Sequence, residues 1–570
     1  MQKNNLIRYG GEFEHIFYSM VSKQAIGNNT NRREEERKMR QEKYNRGYLT
    51  IRFLAGISMV VFLLCQLCYA QEVKKGGTVV AAISANPSTL APSMSYAISP
   101  IMISYTMFNA LVDYDMKGNM LPELAESWDF SSDGKTWTFR LRRGIKWHDG
   151  KDFSSADVAF TIKEVAEKFH PLGKQAFGPI SKIETPDPNT VIFKFEKPFF
   201  PTSSYLSCWY SGILPKHLYE NTDILKNPYN FKPVGTGPFM FEEFKQGSHL
   251  TVVRNPNYWR KDKPILDKII FRVITDGVAR VSALEKGEVD ILAPYAMAIS
   301  EMKVLEAKGF VVTPIYAHDG LLAMTLFNLR NQYLGNKNVR YAIAHATNLD
   351  EIAKKAYFGY GKIPVGPIPS SIAWAFTDDV KKFEYDPAKA NKLLDESGYR
   401  RDSKGIRFPL EFVYAPSRTD FDSTAKIIKA QLREVGIDII LKPLEYAATI
   451  DEVFKKKKFD LTYWSLTMGP DPAVGTARLY LTSQIGDLPF TNAMGYSNPE
   501  VDRLFQQASE ATSREKAGQS FKNIQKLITN DFPVLWTLEV PYPMAHSAKL
   551  VGLPEGPYWT HHMENVGWKK

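Results

Sequence analysis

The chain has 570 residues with 72 Lys and Arg against 62 Asp and Glu, a formal net charge of +10. About half of that excess lies in residues 1–70, which leaves 61 basic and 56 acidic residues and a net charge of +5 in the remainder. No basic stripe of the kind nucleic acid requires is left, and the remaining length carries enough apolar surface for a core divided into two or more lobes.

Residues 1–47 mix charges, as in Arg32 to Lys38, without a core-forming pattern. They read as a disordered extension, or as untranslated sequence ahead of a start at Met39. Next comes an uncharged run of about fifteen residues, Phe53 to Leu67, short of the roughly twenty that span a bilayer. With Arg46 and Arg52 before it and Ala70 after it, residues 48–70 read as a secretory signal peptide, cut before Gln71. A lipoprotein site at Cys65 or Cys68 is disfavoured by the bulky Leu64 and Leu67 before them, and an uncleaved anchor by the shortness of the run. The mature protein is expected in the periplasm. Removing the signal leaves Cys208 alone, so no intrachain disulfide can form.

From Gly76 to about Phe195, β-rich runs at Thr78–Ile83, Thr136–Leu141 and Thr190–Phe195 alternate with turn clusters such as Ser131-Ser132-Asp133-Gly134-Lys135, a hairpin pattern. From about residue 340 strands alternate with helices. Asp386-Pro387 predicts a helix start and Gly398 its end. Leu410–Tyr414 reads as a strand, Asp422–Val435 as a helix burying Ala425, Ile428, Leu432 and Val435, and Ile437–Leu441 as a second strand after Gly436, which together form a βαβ unit. A helical stretch at Asp451–Lys457 leads to an apolar strand at Phe459–Trp464, followed by the turn Thr467-Met468-Gly469-Pro470-Asp471-Pro472. Ligands of open α/β sheets bind beyond the carboxyl ends of strands, so Trp464 and the turn after it stand where a ligand is expected. A core tryptophan and an ordinary turn fit the pattern equally well.

The segment from Thr136-Trp137-Thr138-Phe139-Arg140-Leu141 through Gly144-Ile145-Lys146-Trp147-His148-Asp149-Gly150, with Phe153 and Ala156-Asp157-Val158 after it, resembles the signature of the large solute-binding proteins of ABC importers, the peptide/nickel group called family 5. Segments in the same order support it: Gly235-Thr236-Gly237-Pro238, Asn255-Pro256-Asn257-Tyr258-Trp259, Gly287-Glu288-Val289-Asp290 and Gly495-Tyr496-Ser497-Asn498-Pro499. The resemblance covers nearly all of the mature chain. It implies an α/β, two-lobed periplasmic-binding-protein fold of the large cluster-C type, with an extra subdomain on the first lobe. It places that lobe at residues 71–320, the second at 321–535 and a return to the first at 536–570, with crossovers near Tyr316–Asn328 and Pro533–Ala545. It also implies a monomer that closes around a peptide-like or other small polar solute and delivers it to permease subunits in the inner membrane, with no cofactor, metal or nucleic acid.

By the same resemblance the cleft is lined by Ser84, Asn86 and Ser88 after the first strand, by Phe160, for which a position in a helix core fits equally well, and by Trp464, with Met468 and Asp471 after it as further ligand-binding candidates. Peptide-binding members carry an aspartate three residues after the tryptophan, where it pairs with the ligand's ammonium group. Here Ser465-Leu466-Thr467 follows Trp464, and Met468 stands at the aspartate's counterpart when Asp471-Pro472 is aligned with the family's Asp-Pro. An ammonium buried without a partner is costly, so simple dipeptides and tripeptides are expected to bind poorly unless Asp471 substitutes. Sugars, opines, peptide-like metabolites and metal chelates stay open. The sequence holds no His-Glu-x-x-His, Gly-x-Ser-x-Gly or phosphate-loop motif, and His561-His562 reads as a surface pair. A secreted hydrolase, or a binding protein that senses without transport, is the alternative.

Overall fold

The computed structural model describes residues 73–570 apart from 96–97, 116–117, 295, 317–318 and 554–562. The N-terminal extension, the signal at 48–70, the cut before Gln71 and the pair His561-His562 lie outside the described residues. Two large sheets organise the rest. The first has seven strands in the order Val311–Ile315, Tyr542–His546, Ile291–Leu292, Thr78–Ile83, Lys268–Val273, His249–Arg254, Phe239–Lys245. Thr78–Ile83 lies at its centre, parallel to both neighbours. A strand flanked in this way is covered on both faces, which explains why Ala81, Ala82 and Ile83 are all buried.

The second sheet has five strands in the order Ile437–Pro443, Phe408–Tyr414, Leu461–Thr467, Leu321–Phe327, Val534–Glu539. Its βαβ unit follows from the sequence pattern. The strands at 408–414 and 437–443 pair in parallel, and the helix Thr419–Glu434 between them buries Phe421, Ala425, Ile428 and Leu432 against the sheet. Gly436, at φ +86°, turns the chain out of the helix. Two strand-to-helix details differ from expectation. The strand after Lys458 runs Leu461–Thr467, further on than predicted, and the helical stretch before it is a short helix, Tyr446–Ile450, that widens into a π turn at Asp451–Lys455. The helix Pro387–Glu396 starts as its cap predicts: the Asp386 carboxylate accepts from the amide of Lys389 at 2.9 Å.

A four-stranded antiparallel sheet, Ala125–Phe130, Thr136–Leu141, Thr190–Phe195 and Ile180–Asp187 in spatial order, forms the extra subdomain. Its hydrophobic core, centred on Trp137, Phe139 and Phe193, is separate from those under the two large sheets. Its first hairpin turns where Asp133 accepts from the amide of Lys135 at 3.0 Å and Gly134 takes φ +69°.

The chain leaves the first sheet after Ile315, enters the second at Leu321, leaves it after Glu539 and rejoins the first at Tyr542. Position 535, taken for the second boundary, falls inside the strand Val534–Glu539, which pairs with Leu321–Phe327. Gly320 sits on the outgoing crossover at φ +49°, and a Cβ there would lie 2.2 Å from Cγ of Pro369. Gly320→Ala therefore combines a left-handed backbone that costs an L-residue ~1–2 kcal/mol with a clash against a stiff ring. A melting temperature lower by a few degrees is expected by calorimetry, and an unchanged value would show that the crossover relaxes freely.

Candidate functional site

Strand direction fixes where a ligand can meet both lobes. In the second sheet Thr467, the carboxyl end of its strand, pairs with Leu321 at the outgoing crossover. In the first, Ile291–Leu292 runs antiparallel to Tyr542–His546 and so points toward the returning crossover. Both sheets thus present carboxyl ends to the two connecting segments, the edge at which open α/β sheets bind ligands. A cavity of about 310 Å³ lies there, walled by Met297–Ser300 from the first lobe, Ser417–Asp420 and Phe358 from the second, and Leu321 and Val540–Pro543 from the crossovers.

The lining mixes apolar side chains with Ser300, Ser417 and Thr419 and holds one ion pair, Arg418 with Asp420. Arg418, just ahead of the helix Thr419–Glu434, donates through Nε to Oδ1 of Asp420 at 3.0 Å and through Nη2 to Oδ2 at 2.6 Å. Its guanidinium lies over the ring of Phe421, 4.7 Å from the centroid. Burial works against the charge on Arg418, but the hydrogen-bonded Asp420 outweighs it and raises its pKa. Asp420 also stands in the first turn of its helix, where the N-terminal dipole favours a carboxylate.

The residues singled out from sequence fall in several places. Ser84 follows the central strand of the first lobe and is half-buried, while Asn86 and Ser88 are exposed and Asn86 accepts from the amide of Gly247 at 2.8 Å. Phe160 packs in the first-lobe core. Trp464 is 2% exposed in the second-lobe core, its ring 5.3 Å from Phe454, 5.6 Å from Phe490 and 5.8 Å from Tyr446. Its Nε1 is buried without a hydrogen-bond partner. Met468 is fully buried, and its amide donates at 2.8 Å to the carbonyls of both Asp319 and Gly320 on the crossover. Neither Trp464 nor Met468 lines the cavity, because the strand runs on to Thr467 and turns the Trp464 ring into the aromatic layer beneath the sheet. The rule that points to Trp464, applied to the strand ending at Tyr414, leads to Ser417–Asp420 instead.

Asp471 marks a second meeting of the lobes. Its Oδ1 accepts from the amide of Ala473 at 2.9 Å, and Oδ2 accepts at 3.4 Å from the hydroxyl of Ser204 on the first lobe. Beside it, Arg514 donates to the carbonyl of Gly118 and stacks over Trp374, 4.9 Å from the ring. Burial pushes the Asp471 carboxyl up to about 6, against the opposing pull of the Ala473 amide, Arg514 and Ser204.

A carboxyl whose folded pKa lies above its unfolded value favours the fold when protonated. Its contribution is present below the unfolded pKa near 3.8 and is lost as pH rises through about 6. Asp471→Asn, which mimics the protonated form, is expected to melt higher than the parent above pH 6, by on the order of 3 kcal/mol at most. The difference should vanish near pH 4. Parallel melting curves across that range would show that Asp471 does not carry the shift.

A two-lobed α/β protein with a ligand-sized cavity between its lobes, at the segments that join them, is built as a hinged binding protein. Residues 119–487 match the family described as bacterial extracellular solute-binding proteins, family 5. The chain belongs to that family, and it is the solute-binding component of an ABC importer. It is 28% identical over 506 residues to heme-binding protein A of Haemophilus influenzae, covering 82% of this chain and 86% of that one. It is 27% identical over 513 residues to the dipeptide-binding protein of Escherichia coli, covering 84% and 92%. Among solved structures it is similar to the ABC transporter substrate-binding protein CtaP of Listeria monocytogenes, with a TM-score of 0.77 and 25% identity over 87% of this chain and all of that one. Members of the family are binding proteins rather than enzymes and work with ABC permeases.

Proposed function

We propose that the imported solute is a small molecule with an apolar body and a net-neutral polar head, held in the cavity at the crossovers. The observation that carries this reading is the composition of the walls: apolar side chains from both lobes, the hydroxyls of Ser300, Ser417 and Thr419, and one ion pair, Arg418 with Asp420, already neutral within itself. A solute with a net charge would leave one member of that pair unmatched, whereas an uncharged amide or hydroxyl head can meet both without separating them. The volume of about 310 Å³ stands at the lower end of small-molecule sites, roughly 300–1,000 Å³. Of the solutes for which the relatives are named, a dipeptide matches that size better than heme.

An unmodified peptide must place its ammonium group against a carboxylate. Asp420 is engaged by Arg418, and Asp471 lies at the other contact between the lobes, so a peptide-like solute with a masked or absent amine is preferred to a free dipeptide. The protein is exported through the signal at 48–70 with cleavage after Ala70, works in the periplasm as a monomer, and hands its solute to the permease in the closed form.

A thermal-shift screen over free dipeptides, acylated amino acid amides, opines and oligosaccharides tests the class. A ligand at about a hundred times its Kd adds about 2.7 kcal/mol of stability, a shift of a few degrees, and closure should lower the radius of gyration seen by solution scattering. Arg418→Met should weaken the best binder by on the order of tenfold, ~1.4 kcal/mol, measured by calorimetry. Unchanged affinity in that variant would move the site elsewhere.

A further inference from the structure

Resting on that reading of the cavity, we propose that Phe358 is a specificity residue for the solute, its ring forming the wall on which the solute's apolar body packs. Phe358 follows the helix Leu349–Ala356 and takes φ +57°, a backbone conformation that bulky L-residues avoid. The position just past a helix end is where glycine is favoured because it has no Cβ. Here glycine comes one residue late, at Gly359 with φ +84°, and again at Gly361 with φ +108°.

The surroundings hold the segment in place. The amide of Gly359 reaches back to the carbonyl of Ala353 at 2.9 Å, and that of Tyr360 to Tyr357, also at 2.9 Å. The buried hydroxyls of Tyr357 and Tyr463 meet at 3.0 Å, and the amide of Gly361 donates to the hydroxyl of Tyr316 at 3.1 Å. A conformation this disfavoured persists where its neighbours over-determine it, and such places cluster at ligand clamps. Two other phenylalanines among the described residues share the left-handed backbone. Phe532 is buried in the core, and Phe490 packs on Phe454 and Trp464. Phe358 differs from both, since its neighbours Ala356 and Tyr357 are buried while its own side chain stays 44% exposed and lines the cavity with Leu321 and Val540. A large apolar ring held out of the core by a disfavoured backbone, at the mouth of an interlobe cavity, presents its face to whatever the cavity takes.

The test compares N-acetyl-phenylalaninamide, N-acetyl-leucinamide and N-acetyl-glycinamide by calorimetry on the parent, Phe358→Gly, Phe358→Asn, Phe358→Tyr and Arg418→Met. The parent and Phe358→Tyr should prefer the phenylalanyl and leucyl probes over the glycyl one by tenfold or more. Phe358→Gly and Phe358→Asn should lose that preference while melting no lower than the parent, because glycine and asparagine suit the left-handed backbone. If Arg418→Met weakens binding but Phe358→Gly keeps the preference, the cavity holds the solute and the role of Phe358 is overturned. If none of the probes binds the parent, or neither variant changes binding, the cavity reading falls and this proposal with it.

Discussion

The lobes are joined by two segments that are themselves hydrogen-bonded to each other, and the rest of the molecule is arranged around that constraint. The amide of Val540, on the returning segment, donates to the carbonyl of Leu321 at 2.8 Å. The outgoing segment is held from the second lobe by the Met468 amide and pressed by Pro369 against Gly320. On the returning side, Glu539 is buried and accepts from the amide of Ser370 at 2.8 Å and from its hydroxyl at 2.6 Å. A joint so tightly paired lets the lobes rotate about a narrow line but leaves little room to slide. The distance from that line then decides how far each contact travels during closure. The cavity lies against the joint, where motion is small.

Two kinds of contact divide the work between the lobes. Near the joint, apolar side chains stand beside hydroxyls and a self-neutral ion pair, and the apolar part is costly to leave wet. At the second contact, polar groups face each other directly: Ser204 with Asp471 and Gly118 with Arg514. Burial lowers the pKa of Arg514, while Tyr114, Asp471 and Asp115 pull it back up. Such groups gain less from meeting than they lose in hydration unless their geometry is good, so this contact sets how the lobes meet more than it draws them together.

The fold was legible wherever one physical signal dominated. Thr78–Ile83, Thr136–Leu141 and Thr190–Phe195 are strands over the residues that their β-rich composition marks. The βαβ unit at 408–443 follows from helical periodicity bounded by glycine. The candidate site was less legible, because it depends on which strand ends converge. Met297–Ser300 and Ser417–Asp420 are more than a hundred residues apart in sequence and meet only through strand order. Trp464 drew attention as a large aromatic before a Pro/Asp turn, yet pleating alone decides which face it occupies, and a strand that runs on to Thr467 puts it among Phe454 and Phe490. Phe358 carried no signal at all, since a left-handed backbone at a phenylalanine cannot be read from composition.

The bidentate pair of Arg418 and Asp420 has a consequence for the conditions under which the protein works. A receptor that recruits its ligand with an unbalanced charge loses affinity as ionic strength rises, because mobile ions screen the attraction. A pair whose opposite charges are 2.6 Å apart presents a short-range dipole, and its field dies away before a screening atmosphere can compete. For a solute held as proposed at this pair, capture depends little on salt. For a protein working outside the cytoplasm, where the surroundings set the ionic strength, uptake then follows the concentration of the solute rather than the salinity of the medium.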